Sequence, residues 1–177
     1  MELVSSILIG ILGSVVASII IIYSMYNVRP KISISKEIAY GKNDDGDTTF
    51  KIKVINESKR NAIDLSAELF LVRPFNLPDG VGNNLTSLPL KTPSIMELLE
   101  NGKVDRSGDF NFNFITYEDL KKLWGDNGGK YLLFRIKATN SLSNHTSVFS
   151  QVYYKQESSL VHGCHKDGNS MIIVKYS

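Results

Sequence analysis

The residues whose types could do chemistry gather in two places. One is His162-Gly163-Cys164-His165, with Asp167 close behind. Imidazole, thiolate and carboxylate all ligate metals, but zinc sites draw their ligands from two separated pairs, and the only other histidine is His145. In an extended strand His162 and Cys164 share a face and His165 points away. A plain strand and turn is therefore expected, and no metal site is assigned. The second place is a set of cations at period two. Lys51 and Lys53 alternate with Phe50, Ile52 and Val54, and Arg135 and Lys137 alternate with Phe134 and Ile136. If those two strands lie in one sheet, four cations share its outer face and can meet lipid headgroups, a nucleotide or an acidic partner. The competing reading is a solvated face whose charges are offset by their neighbours.

Other chemistries find little support. No G-x-x-x-x-G-K-[ST], G-x-S-x-G or H-E-x-x-H pattern occurs. Asn43-Asp44-Asp45-Gly46-Asp47 lacks the spacing and distal Glu of an EF-hand loop and reads as a polar hairpin turn. Gly80-Val81-Gly82 has no strand-to-helix context for binding phosphate. The chain is expected to be no enzyme and to carry no cofactor. A net charge of +2 over 177 residues gives no ground for direct DNA binding. With Cys164 as the single cysteine, no internal disulfide forms.

The elements that must position these groups begin with an apolar run. No residue from Leu3 to Tyr26 is charged. As a helix that run is about 36 Å long, against a hydrocarbon core of about 30 Å. A start without Lys or Arg, and an end (Tyr23 to Asn27) without a small-x-small site, argue against a cleaved leader. Arg29, Lys31 and Lys36 follow the run and no basic residue precedes it. The positive-inside rule then places the large C-terminal part in the cytoplasm, as a single-pass protein of the inner or plasma membrane. Tyr23 and Tyr26 stand where interfacial aromatics belong. Inside the run, Gly10, Ser14 and Ser18 form one stripe of small residues, with Gly13 and Ala17 beside it. Such stripes let helix backbones approach closely, so a homo-oligomer in the lipid bilayer is expected. Gly, Ala and Ser are also common in membrane helices without that purpose.

After Pro30 the pattern changes to period two. Ile32/Ile34, Phe50/Ile52/Val54, Ile63 to Leu71, Phe110/Phe112/Phe114 and Leu132 to Ala138 predict half-buried strands, with two further β-rich runs around Val148/Val152 and Ile172/Val174. GKNDDGD, NESKRN, RPFNLPDGVGNN, GDNGG and HKDGN separate them. Seven or eight strands with few helices predict an all-β antiparallel sandwich or barrel over residues 30–177, following a helical segment over 1–29. One short helix is expected with Thr116 as its cap, Leu120, Leu123 and Trp124 as its apolar side and Gly125 as its stop. A helical turn is also expected at Ser94–Leu99.

The stretch TTFKIKVINESKRNAIDLSAELFLV resembles two consecutive strands of immunoglobulin-like domains, with Asn56 ending one strand and Ala62-Ile63 opening the next. The whole outline, a short apolar N-terminus before a β-rich domain, resembles the membrane effectors of bacterial antiviral defence. Those usually carry two spans, where this chain has room for one. The resemblance implies a single-pass effector or pore-forming subunit, assembled by its helix and controlled by its cytoplasmic domain, with a nucleotide or a protein as the candidate partner. The alternative is a membrane-tethered interaction module without pore activity.

Overall fold

The computed structural model describes residues 2–27, 29–101, 110–125 and 129–176, without the side chains of 2–4, 8 and 25–27. The expected turn at 126–128 and the interfacial side chain of Tyr26 lie outside that description. Glu2–Asn27 form one uninterrupted helix, α1. The run contains no proline to break the i→i−4 ladder. Its segment Ser5–Ser24 is long and apolar enough to cross a membrane, and none of it is buried against the rest of the chain.

Two sheets build the remainder. The first contains β1 (Ile32–Ile34), β2 (Ile38–Lys42), β3 (Thr48–Asn56), β7 (Asn111–Thr116), β10 (Leu160–His165) and β11 (Ile173–Lys175). Strand β3 is its centre. It pairs β7 along one edge and, along the other, β1 at Val54–Asn56 and β2 at Thr48–Lys51. The second sheet holds β4 (Ala62–Leu77), β5 (Gly80–Leu88), β6 (Ser94–Leu98), β8 (Tyr131–Asn140) and β9 (Thr146–Tyr153), in the order β5-β4-β8-β9. Strand β6 pairs the lower part of β4, on the same side as β5.

The alternation read from sequence sets which residues meet between the sheets. Phe50, Ile52, Val54 and Phe114 face Leu65, Leu69, Leu132, Phe134 and Ile136 in one core. Phe114 and Phe134 touch across it, ring centroids 5.5 Å apart. Tyr153 is buried in the same layer and its hydroxyl donates to the Ser35 carbonyl at 2.8 Å, tying β9 to the opposite sheet. Burial holds that phenol well above its ordinary pKa.

Five expectations are corrected. The described residues form eleven strands, not seven or eight, because β2, β5, β6 and β10 have no long apolar alternation of their own to mark them. Ser94–Leu98 is strand β6, not a helical turn; its backbone completes the ladder of β4. The segment read as a long turn at 73–84 is mostly strand, with only Pro78 and Asp79 turning. Pro74 is tolerated there because β8 stops at Val72 and leaves that part of β4 with one neighbour. Finally, β10 runs parallel to β2, so the first sheet is mixed. The short helix α2 exists but starts later, at Leu120–Trp124. Its cap is Asp119, whose carboxylate accepts from the N–H groups of Lys121 and Lys122, while Thr116 ends β7 and accepts from Glu118 N–H. Gly125, at φ 63°, stops it.

Candidate functional site

A cleft of ≈ 600 Å³ opens between strands β2, β3 and β10 of the first sheet and the segment around α2. It lies at the Thr48 end of β3, opposite the Asn56 end at which the chain enters β1. Eight residues of extended strand separate the two ends, about 26 Å. Its floor is a row of rings on neighbouring strands. Tyr40 stands directly across from Phe50, and His162 across from Tyr40. The centroid separations are 5.8 Å for Phe50–Tyr40, 5.1 Å for Tyr40–His162 and 5.3 Å for His162–Tyr176. Gly41 makes the last contact possible, since a Cβ there would come within 2.7 Å of the Tyr176 ring.

Helix α2 forms the facing wall. Lys121 Nζ sits 3.7 Å from the centre of the Tyr40 ring, a cation–π contact. Lys42, Asp47, Tyr117 and Asp119 complete the rim. Such a cleft can stack a planar ring against Tyr40 and His162, offer ammonium groups to an anion and offer carboxylates to amino donors. A hydrogen bond with the Cys164 thiol raises the pKa of the Tyr176 phenol.

The cations singled out in the sequence do not converge. Lys51 and Lys53 belong to β3 in one sheet, Arg135 and Lys137 to β8 in the other, so the shared four-cation face does not form. Arg135 and Lys137 are exposed, and Arg135 stands directly across from Glu68. Lys51 is half-buried. Lys53 is fully buried, and its ammonium donates to the carbonyls of Lys166, Gly168 and Ser170 at 2.6, 2.7 and 3.0 Å. All three of its protons are spent inside the protein. Burial lowers its pKa, and the nearby Asp167 charge partly opposes that.

The His/Cys cluster also divides. His162 belongs to the aromatic row, while His165 is buried with Nε2 3.2 Å from the Lys51 carbonyl. Burial, helped by the charges of Lys53 and Lys51, outweighs that hydrogen bond and lowers the His165 pKa. Among the described residues no three His, Cys, Asp or Glu side chains gather as a metal site would require.

On α1 the small residues Gly10, Gly13, Ser14, Ala17 and Ser18 are all exposed. A Cβ added at Gly10 or Gly13 would meet nothing within 4 Å. The Ser14 and Ser18 hydroxyls donate along the helix, to the carbonyls of Ile11 and Ser14, each at 2.8 Å. Sequence reading missed Tyr40, Tyr117, Lys121 and Tyr176, because the row depends on which strands are neighbours. The alternation of Tyr40 with Ala39 and Gly41 was its only local trace. No protein-family model and no curated protein matches this chain.

Proposed function

We propose that the protein is a single-pass membrane effector whose helix α1 self-associates under the control of a cytoplasmic β-sandwich, in the manner of the antiviral membrane effectors it resembles. The observation that carries this reading is the coupling of two parts by almost no linker. An apolar helix with an uncovered stripe of small residues leads through Arg29-Pro30-Lys31 straight into β1. A short, proline-bearing connection transmits a reorientation of the sandwich to the helix, which a long flexible one would absorb. The cleft at the far end is the port for the controlling ligand. A planar anionic ring entering it exchanges places with the Lys121 ammonium over Tyr40. No acid–base or nucleophile constellation is assigned a role, so the function is one of binding and assembly.

The experiment is to purify the full chain from membranes and measure its size in detergent, then repeat with Gly10, Ser14 and Ser18 replaced together by Leu. An oligomer that falls to monomer in the triple variant, with loss of dye leakage from vesicles carrying the protein, supports the effector. A monomer in both cases, without leakage, supports the tethered interaction module instead. That second reading has its own observation: the β4–β5 ribbon beyond Val72 projects past β8 and exposes Phe75, Leu77, Val81 and Leu85.

A further inference from the structure

Strand β11 is the least supported element of the first sheet. It has three residues, ends the order β1-β3-β2-β10-β11, and among the described residues has β10 as its one neighbour, at Gly163–His165. Of its side chains Ile173 alone is buried, while Val174, Lys175 and the following Tyr176 are exposed. A short edge strand with so little apolar burial is not held by its hairpin alone. Two glycines let it seat closely. A Cβ at Gly163 would clash with the Val174 carbonyl oxygen, and Gly41 leaves room for the Tyr176 ring.

What fastens the strand is the turn before it. Residues 166–172 leave β10 and fold back to β3, two strands away in the sheet. There the carbonyls of Lys166, Gly168 and Ser170, at alternate positions of the turn, converge on the one ammonium of Lys53. Lys166 N–H closes the base of the turn on the Ile172 carbonyl, and at its tip Asn169 Nδ2 donates to Asn101 Oδ1 at 2.9 Å. Alternation along β3 puts Lys53 on the outer face of the sheet, whereas Phe50 and the aromatic row lie on the inner one.

We propose that residues 166–176 form a clasp that opens as a unit, and that Lys53 is its latch. From the outer face Lys53 holds the turn, the turn holds β11, and β11 delivers Tyr176 to the end of the aromatic row. This deepens the reading of the cleft as a port and rests on it for its meaning. Strand β10 stays in place when the clasp opens, because its first three residues pair β2. Opening removes Tyr176 from His162, shortens the row from Phe50–Tyr40–His162–Tyr176 to its first three rings and clears the space beside Gly41. Lys53 does not line the cleft, so it is a positioning residue that acts through the turn. Linkage makes the relation reciprocal: a ring that stacks on the closed row holds the clasp shut.

The test is hydrogen exchange of the full chain in detergent, read by mass spectrometry on peptides from 166–176 and from β8. In the unmodified protein the clasp peptide is expected to exchange ahead of β8. Lys53→Met is expected to speed the clasp peptide by about tenfold or more, the effect of losing three bonds to one charged donor. Phe134→Leu, in the core strand β8, is expected to speed β8 and leave the clasp peptide unchanged. Asn101→Ala removes one side-chain bond at the tip of the turn and is expected to speed the clasp peptide by about threefold. It carries the test if Lys53→Met does not fold. Cys164 stands across from Val174, so its reaction with a maleimide is expected to quicken in the same two clasp variants. Equal acceleration of both peptides in Phe134→Leu would show that the clasp has no opening of its own and overturn the proposal. So would a clasp peptide that responds to neither Lys53→Met nor Asn101→Ala. The size of the protein in detergent tests the effector reading separately: a monomer sinks that reading, whereas exchange reports on the clasp alone.

Discussion

Replacing Lys53 by Met removes the ammonium on which three carbonyls converge and leaves those acceptors facing an apolar stem. The expected loss is about 2–3 kcal/mol, the cost of leaving buried polar groups unpaired. It is read from the urea midpoint of the protein in detergent, using the fluorescence of the single tryptophan, Trp124. Lys53→Arg does not restore it, because a planar guanidinium does not present three donors to one point as an ammonium does. His165 gives a dependence on pH. Its pKa is lowered by folding, so the unfolded chain binds more protons than the folded one. Stability therefore rises with pH between the depressed folded value and the unfolded value of 6.5, and falls as the solution is acidified through that window. The urea midpoint is expected to drop between pH 7 and pH 5, and to drop less in His165→Gln. Neither behaviour was legible in the sequence. Lys53 sits at a position whose neighbours predict an outward side chain, and it does face outward. What buries it is the turn between β10 and β11, more than 100 residues away along the chain, and alternation carries no record of a lid over the outer face.

At the scale of elements, α1 and the strands with long, regular alternation were readable, because each owes its form to a pattern of its own. The apolar run needs only length and the lack of a breaker. Strands β3 and β8 need only alternating faces, which Phe50/Ile52/Val54 and Phe134/Ile136 supply. Elements set by a neighbour were not readable. Ser94–Leu98 is a strand because β4 offers it a ladder, and 73–77 continues β4 because β5 folds back along it. The cap of α2 shows the same competition at one residue. Thr116 and Asp119 are both good capping types, but Thr116 is engaged as the last residue of β7. Asp119→Ala is accordingly expected to cost about 1 kcal/mol, the usual price of a lost cap. It should also speed hydrogen exchange at the Lys121 and Lys122 amides, whose partner it removes. Because α2 carries Lys121 onto the Tyr40 ring, that exchange measurement also reports on how firmly the cleft wall is held.

At the scale of the molecule, a helix followed by a β-sandwich was legible from the change of period at Pro30, and the layered arrangement bears that out. The cleft was not legible, since its rings come from residues 40, 50, 162 and 176, and the parallel pairing of β10 with β2 is what brings the last two to the first two. That pairing has a consequence for how the protein is made. Strands β10 and β11, the carbonyls around Lys53 and half of the aromatic row all come from residues 160–176, which leave the ribosome after α1 and β1 to β9. Until then β2 lacks its second neighbour and Lys53 has no acceptors, while α1 has already emerged. A product terminated before Leu160 would deliver the helix without the cleft or the cage. Translation order thus separates the arrival of helix α1 from the completion of the cleft and of the Lys53 cage, and a nascent chain passes through a stage in which the first is present and the others are not.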